Sequence, residues 1–352
     1  MMLKLLSFEA ARMQKCTLGS LQHDMTAHFD RMYPEMTAIF ASKYAVDEHL
    51  LMSVGKTIHR LQRNVETSLG ISTQAYKQAT SSHRIGGMVQ GKADVPQLAT
   101  QQSDAMLKTH KALTYGVHIP SPTLLRSISH HSVAFADDTE GQVSSPTTET
   151  LSIPRLVRRL QHSGQTWSNL TNICGGLIAL HKCHWQLLAW TIQQGHLCPR
   201  LTFPETLVLN DGKGACSMIK YLPPNQPNVG LGFHLCPDGN QTPHFEALFG
   251  SISKLCSSTT SAHLTELEAH QLLNQRLLPR LRYALHGSSF TPIQCGNITS
   301  VIRTTFLPQL RLNRHFPGAV LHGPLSHGGL EFLDVNTLQD QIQLDYLVKQ
   351  LR

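Results

Sequence analysis

The sequence predicts an α+β fold on three observations. The first is a β-hairpin pattern. Ser132-Val133-Ala134-Phe135-Ala136 alternates polar and apolar residues and meets the turn-prone Asp137-Asp138, and Gln142-Val143 after Gly141 can begin a return strand. The second is the stretch Phe203 to Gly239, rich in Gly and Pro, where apolar runs such as Thr206-Leu207-Val208-Leu209 stop at Asn210-Asp211-Gly212. The third is helical periodicity elsewhere, densest in the C-terminal part of the chain. The chain therefore divides, in expectation, into a mixed region, residues 1–240, and a mainly helical region, residues 241–352.

Taken in order, Phe8 to Gln14 has helical character that Gly19 interrupts, and Arg31 to Ala45 reads as helix apart from Pro34. From Asp47, the residues Leu50, Leu51, Val54, Ile58, Leu61 and Val65 form one apolar stripe, with Lys56, His59, Arg60 and Arg63 off it, the pattern of an amphipathic helix. The block Gly86-Gly87-Met88-Val89-Gln90-Gly91 is a loop suited to close backbone approach, and Pro96 can open a helix running through Leu98, Met106 and Leu107. Gly141 to Thr150 reads as a loop. Ser152 and Pro154 then open a helix carrying Leu156, Leu160, Trp167, Leu170 and Ile173, stopped by Gly175-Gly176. Ser261 is expected to cap a long helix through Leu264, Leu267, Leu272, Leu277 and Leu281, kinked at Pro279, with Arg276, Arg280 and Arg282 placed to face phosphates. A further helix is expected from Gly296 to Phe306.

Composition bounds the function. At 352 residues the chain can bury two or three cores and is long enough to be an enzyme. Its 8 cysteines include no C-x-x-C pair, which points away from a disulfide framework or zinc ribbon and toward a reducing, intracellular compartment, nucleus and cytoplasm both open. Met1 to Leu6 is apolar but broken by Lys4, and no apolar run reaches membrane-spanning length, so no membrane partner is expected. Net charge is +7, of which residues 1–150 hold +1 and residues 151–352 hold +6. That excess suits a polyanion such as nucleic acid.

The hairpin tip carries the chemistry. Adjacent strand residues point to opposite faces, so neighbouring aspartates serve one site only where the backbone turns. Such a pair binds hard divalent cations through oxygen, Mg²⁺ usually taking one or two carboxylates with water and substrate phosphate completing its shell. Two such ions about 3.5–4 Å apart can activate an attacking oxygen and stabilise a leaving one in phosphoryl transfer. His181, Cys183 and His184 lie close together in sequence, but their spacing matches no standard zinc site.

The order of blocks adds a family. Asp24 with Phe29 five residues on, Gln90-Gly91 with Pro96 after them, and Phe135-Ala136-Asp137-Asp138 resemble motifs A, B and C of reverse transcriptases, those of non-LTR (LINE-like) retrotransposons in particular. Downstream, Trp167, Gly175-Gly176-Leu177 and Lys182-Cys183-His184-Trp185 are similar to the motif D region. Val229-Gly230-Leu231-Gly232-Phe233 resembles the hairpin that grips the primer terminus, and Leu278-Pro279-Arg280-Leu281-Arg282-Tyr283 falls where the family has a helical thumb. The resemblance implies a palm, an antiparallel sheet with packed helices and partial fingers, over residues 1–240, followed by a helical thumb or connection over residues 241–352.

It also implies roles. Asp24 and Asp137 would be the principal ligands of two Mg²⁺ (or Mn²⁺) ions, with Asp138 beside them. Phe29 would lie under the sugar of the dNTP, Gln90 and Gly91 would line the nucleotide pocket, and Lys182 would protonate or neutralise the leaving pyrophosphate. Partners would be an RNA or DNA template with its primer, and dNTP. Departures exist: Ser20-Leu21-Gln22-His23 is poor in β-branched residues for a central palm strand, and the fingers region that precedes motif A in the family is absent. Two function classes follow: an RNA-directed DNA polymerase, and an inactive, N-terminally truncated remnant that at most binds nucleic acid. A third is a helical scaffold with accidental motifs, which requires the aspartates to lie far apart.

Overall fold

The computed structural model describes residues 2–25, 33–44, 46–47, 49, 51–53, 56, 66–67, 70–71, 95–120, 127–135, 138–145 and 151–351. They separate into two compact units, residues 6–224 and residues 225 onward, the latter joined by the first turn of the N-terminal helix. The stripe expected from Asp47 to Val65 lies largely outside the described residues.

The first unit is built on a sheet. Helix α1 (Met2–Gln14) leads into β1 (Leu18–Asp24), followed by α2 (Pro34–Lys43) and the short pair β2 (Glu66–Thr67) and β3 (Gly70–Ile71). Helix α3 (Val95–Leu113) opens at the expected proline. Strands β4 (Val117–Pro120) and β5 (Ser127–His130) pair with each other, and β6 (Ser132–Phe135) and β7 (Asp138–Ser144) form the expected hairpin. Its return strand begins at Asp138 rather than after Gly141, because Phe135 and Asp138 are already a cross-strand pair. Then come α4 (Ile153–Ile173), β8 (His184–Leu188), the hairpin β9 (Trp190–Gln193) and β10 (His196–Pro199), and the pair β11 (Leu207–Asn210) and β12 (Cys216–Tyr221). Six strands make one sheet in the order β11-β12-β8-β1-β7-β6. The expected antiparallel pattern holds at every junction except β12 to β8, which is parallel.

Strand β1 is central despite its poor strand propensity, and packing explains why. Gly19, Leu21 and His23 face α4. A Cβ on Gly19 would come within 3.1 Å of Leu156, and one on Gly164 of α4 within 2.3 Å of Leu21, so the two glycines let helix and strand approach closely. Leu21, Leu156, Leu160, Trp167, Trp185 and Leu187 fill the resulting core. Burial on this scale outweighs β-propensity, whose whole range is about 1 kcal/mol.

The second unit begins with β13 (Asn228–Gly230) and β14 (Phe233–Leu235), joined by Leu231 and Gly232 at φ 51° and 77°, a two-residue turn in which both residues are left-handed. Helices α5 (Thr242–Ser261), α6 (Glu266–Leu272), α7 (Leu278–Leu285), α8 (Pro292–Gln309), α9 (Gly318–His322) and α10 (Val335–Leu351) follow. They close over Leu248, Ile252, Leu277, Leu281, Ile302 and Phe306. Ser261 ends α5 instead of opening the next helix. The cap is Thr265, whose hydroxyl accepts from the Glu268 amide at 3.3 Å while Glu268 accepts from the Thr265 amide at 2.9 Å. Pro279 produces no simple kink. A π-helical turn, Leu273–Leu277, runs without a break into α7, so Pro279 follows a locally widened stretch of one continuous helical path. No described helix is long and apolar enough to cross a membrane.

Candidate catalytic site

Register decides which side chains share a face of the sheet. Directly opposed residues of antiparallel strands point the same way. Asp24 is paired with Asp138, Gln22 with Glu140 and His184, Ser20 with Gln142 and Gln186, and Leu18 with Ser144 and Leu188. These rows form the face turned away from α4. It is polar at the aspartate end and apolar at the other, where Phe8 and Ala11 of α1 cover Leu18, Leu188 and Val117.

The two carboxylates thus meet at the open end of the central strands. Opposed like charges are unfavourable in a sheet, and one cation stands beside them. The Lys182 ammonium lies 3.4 Å from Asp24 Oδ1, with the Lys182 and Asp24 side chains 57% and 33% exposed. The backbone fixes this approach. The Ala179 amide donates to the Asp24 carbonyl at 2.8 Å, and the Lys182 amide donates back to the Ala179 carbonyl at 2.8 Å, so a tight turn carries the lysine to the strand end. An ion pair this exposed contributes about 0–1 kcal/mol.

Behind the aspartates the face carries a hydrogen-bonded network that ends on the Glu140 carboxylate. His130 Nε2 donates to Gln142 Oε1 at 2.8 Å, and Gln142 Nε2 donates to Glu140 Oε1 at 2.9 Å, with Ser7 Oγ 3.2 Å from the same imidazole nitrogen. Burial pushes the His130 pKa down, which keeps the ring neutral. Cys183, next to the lysine, is a buried thiol pushed up to about 11 by burial, with the Asp24 charge adding in the same direction, so it is no thiolate ligand at neutral pH. On the opposite face His23 is held at about 3, first by burial and then by the proximity of His110.

Of the residues singled out from sequence, Asp24, Asp138 and Lys182 come together. The scaffold reading asks all three aspartates to lie far apart, and the pairing of Asp24 with Asp138 goes against it. Asp137, Phe29, Gln90 and Gly91 lie outside the described residues. Sequence reasoning missed Glu140. Its signal was the two-residue alternation from Asp138 along β7, which puts both carboxylates on one face. Among the described residues no group of three or more His, Cys, Asp or Glu side chains is arranged to hold a metal. Two aspartates on one exposed strand end nevertheless match the hard-oxygen donor set that Mg²⁺ accepts.

No family model matches the chain, and no curated protein matches it. Among solved structures the chain is similar to telomerase from Candida tropicalis in complex with a TWJ fragment of telomeric RNA. Identity is 13% and the TM-score 0.40, over 97% of this chain and 47% of that one. It is likewise similar to the Candida albicans telomerase in complex with a TWJ fragment of telomeric RNA, with 12% identity and a TM-score of 0.37, over 96% and 49%. The chain spans about half the length of these telomerase chains. With TM-scores this low, the reading of the site rests on strand register and topology.

Proposed function

We propose that this chain carries the core of an RNA-directed DNA polymerase related to those of non-LTR retroelements, with residues 6–224 acting as a palm and the helical unit as a thumb. The observation that carries the reading is the direct pairing of Asp24 with Asp138 at the open end of β1 and β7, one residue from the hairpin link that contains Asp137. The motif order read from the sequence places these same residues in the reaction.

In this reading Asp24 and Asp138, with Asp137, hold two Mg²⁺ or Mn²⁺ ions. The chemistry such ions supply is activation of a primer 3′-hydroxyl and stabilisation of the leaving pyrophosphate. The chain's own contribution is positional. Both carboxylates sit on adjacent, fully paired strands, so their separation is set by the ladder rather than by a loop. Lys182 pairs with Asp24, and its flexible ammonium would protonate or neutralise the leaving pyrophosphate. Phe29, Gln90 and Gly91 would frame the dNTP.

Primer extension on an RNA template with dNTP and Mg²⁺ or Mn²⁺ tests the proposal. Asp24→Asn and Asp138→Asn are each expected to lower the rate at least about 100-fold, the scale of losing a charge-stabilising group, with the circular dichroism spectrum unchanged. Equal extension by wild type and variants would sink the assignment of the site. No extension by a folded wild type that binds primer and template would leave a nucleic-acid-binding chain without turnover.

A further inference from the structure

A second cationic surface lies on the other side of the sheet. Helix α4 packs on the Gly19, Leu21 and His23 face, opposite to the one bearing Asp24, and α3 packs beside α4 through Met106 and His110, whose Nε2 lies 3.0 Å from the Ser163 carbonyl. Cations of this helix pair meet two tyrosines beside it, Tyr115 just past the end of α3 and Tyr44 at the end of α2.

Lys108 and Lys111 lie one turn apart on α3, and Tyr115 follows two residues past its end. Both aromatic neighbours hold a cation. The Arg159 guanidinium of α4 stands 4.2 Å from the Tyr115 ring centroid, and the Lys108 ammonium 5.2 Å from that of Tyr44. Tyr115 is 50% exposed and Tyr44 40%, so each ring keeps open surface beside its cation. Arg159 is held in place by its own helix: one turn on, His162 Nε2 donates to the Leu113 carbonyl at 3.1 Å, tying α4 to the end of α3. The 21 residues of α4 include three arginines and no carboxylate. One carboxylate touches the stripe, Asp104, which pairs with Lys108 at 2.7 Å and also bonds Tyr44. Lys111 and Arg159 therefore carry the charge that no carboxylate among the described residues offsets with an ion pair.

We infer that the α3–α4 stripe is a binding surface for single-stranded nucleic acid, separate from the carboxylate end of the sheet. Cations spaced along a helix follow a phosphate backbone, and exposed rings braced by a guanidinium offer a stacking platform to any base. An acidic peptide satisfies the cations but leaves the tyrosine faces unused. In a polymerase this surface would hold a strand away from the chemistry, yet the inference stands on the stripe alone.

The test is fluorescence anisotropy of labelled 12-nucleotide oligo(U) and oligo(dT) with the full chain, titrated at several salt concentrations. The Lys111→Gln, Arg159→Gln double variant is expected to weaken binding about tenfold or more. It should also flatten the slope of log K against log salt by about 1.4, two phosphate contacts at 0.7 each on a single strand. Tyr115→Ala is expected to weaken it about five- to a hundredfold with little change of slope. Lys254→Gln, an exposed cation of α5, should leave binding unchanged. Wild-type affinity in the double variant, an equal loss in Lys254→Gln, or equal competition by oligo-glutamate would overturn the inference. Retained oligonucleotide binding in an Asp24→Asn, Asp138→Asn protein with no primer extension by wild type would remove the polymerase reading and leave this one intact.

Discussion

The two units of this chain solve the problem of burial differently. The helical unit buries leucine, isoleucine and phenylalanine, and several of its buried polar groups tie chain ends together. Gln339 bonds both the amide and the carbonyl of Phe290, at 2.8 and 3.1 Å, and Thr299 accepts from the Val335 amide at 3.1 Å. The helical unit buries His244 as well, but the sheet unit buries more ionisable and amide side chains: His23 of β1 and His110 of α3 beside α4, Glu140, Gln142 and Gln186 on the opposite face, and His130 of β5, which bonds Gln142. Burying such groups is unfavourable unless each is hydrogen-bonded. The difference is in what burial requires: an apolar core needs close packing, whereas a polar sheet face needs a hydrogen-bond partner for each buried group.

That contrast can be broken experimentally. The largest effect is expected from Ile302→Ala, which opens a cavity in the helical core and should lower unfolding free energy by about 2–5 kcal/mol, read by circular dichroism in urea. A value below about 1 kcal/mol would show a core looser than its packing suggests. The sheet unit should reveal itself by pH. His23 is neutral when folded, its pKa lowered from 6.5 to about 3 by burial. The unfolded chain therefore binds the proton first. Stability is full above pH 6.5 and falls as pH drops toward 3, His110, lowered to about 4, adding in the same direction. Between pH 7 and 5 the expected loss from His23 is about 2 kcal/mol. All three tryptophans, Trp167, Trp185 and Trp190, lie in this unit, so their fluorescence reports it directly. A pH-independent tryptophan transition would contradict the buried-histidine account.

The smallest effect sharpens the comparison through paired glycines. In Gly164→Ala the new methyl meets Leu21 at 2.3 Å and Leu209 at 3.1 Å, and about 1–3 kcal/mol should be lost to overpacking. In Gly250→Ala, within α5, the methyl meets nothing within 4 Å, and about 0.5–1 kcal/mol should be gained from helix propensity. Thermal denaturation of the two variants should move in opposite directions. A stabilised Gly164→Ala would mean that α4 and β1 are not in close contact.

Elements with local signals matched expectation. Pro154 and Gly175 bracket α4, Pro96 lies in the first turn of α3, and the hairpin at Phe135 to Asp138 forms where alternation meets turn residues. Helix α5 has a weaker signal, Pro243 in its first turn. Its twenty residues are crowded with Ser and Thr and lack a side-chain cap, so only its buried side, Leu248, Ile252 and Cys256, holds it in place. The same holds for β1, which read as a weak strand and stands at the centre of the sheet.

The candidate site divides in the same way. Asp24, Asp138 and Lys182 were recognisable as residue types at familiar spacings, because motif chemistry is written in the local chain. Their meeting was not, since it joins positions more than a hundred residues apart through the register of β1 with β7 and the docking of the Ala179 turn on Asp24. Composition and periodicity set which segments become helices and strands and which side chains carry charge. Which charges stand opposite one another, and which tyrosine receives which cation, was decided by the long-range packing of Gly19 against α4 and of α4 against α3, contacts that leave no trace in any short window of sequence.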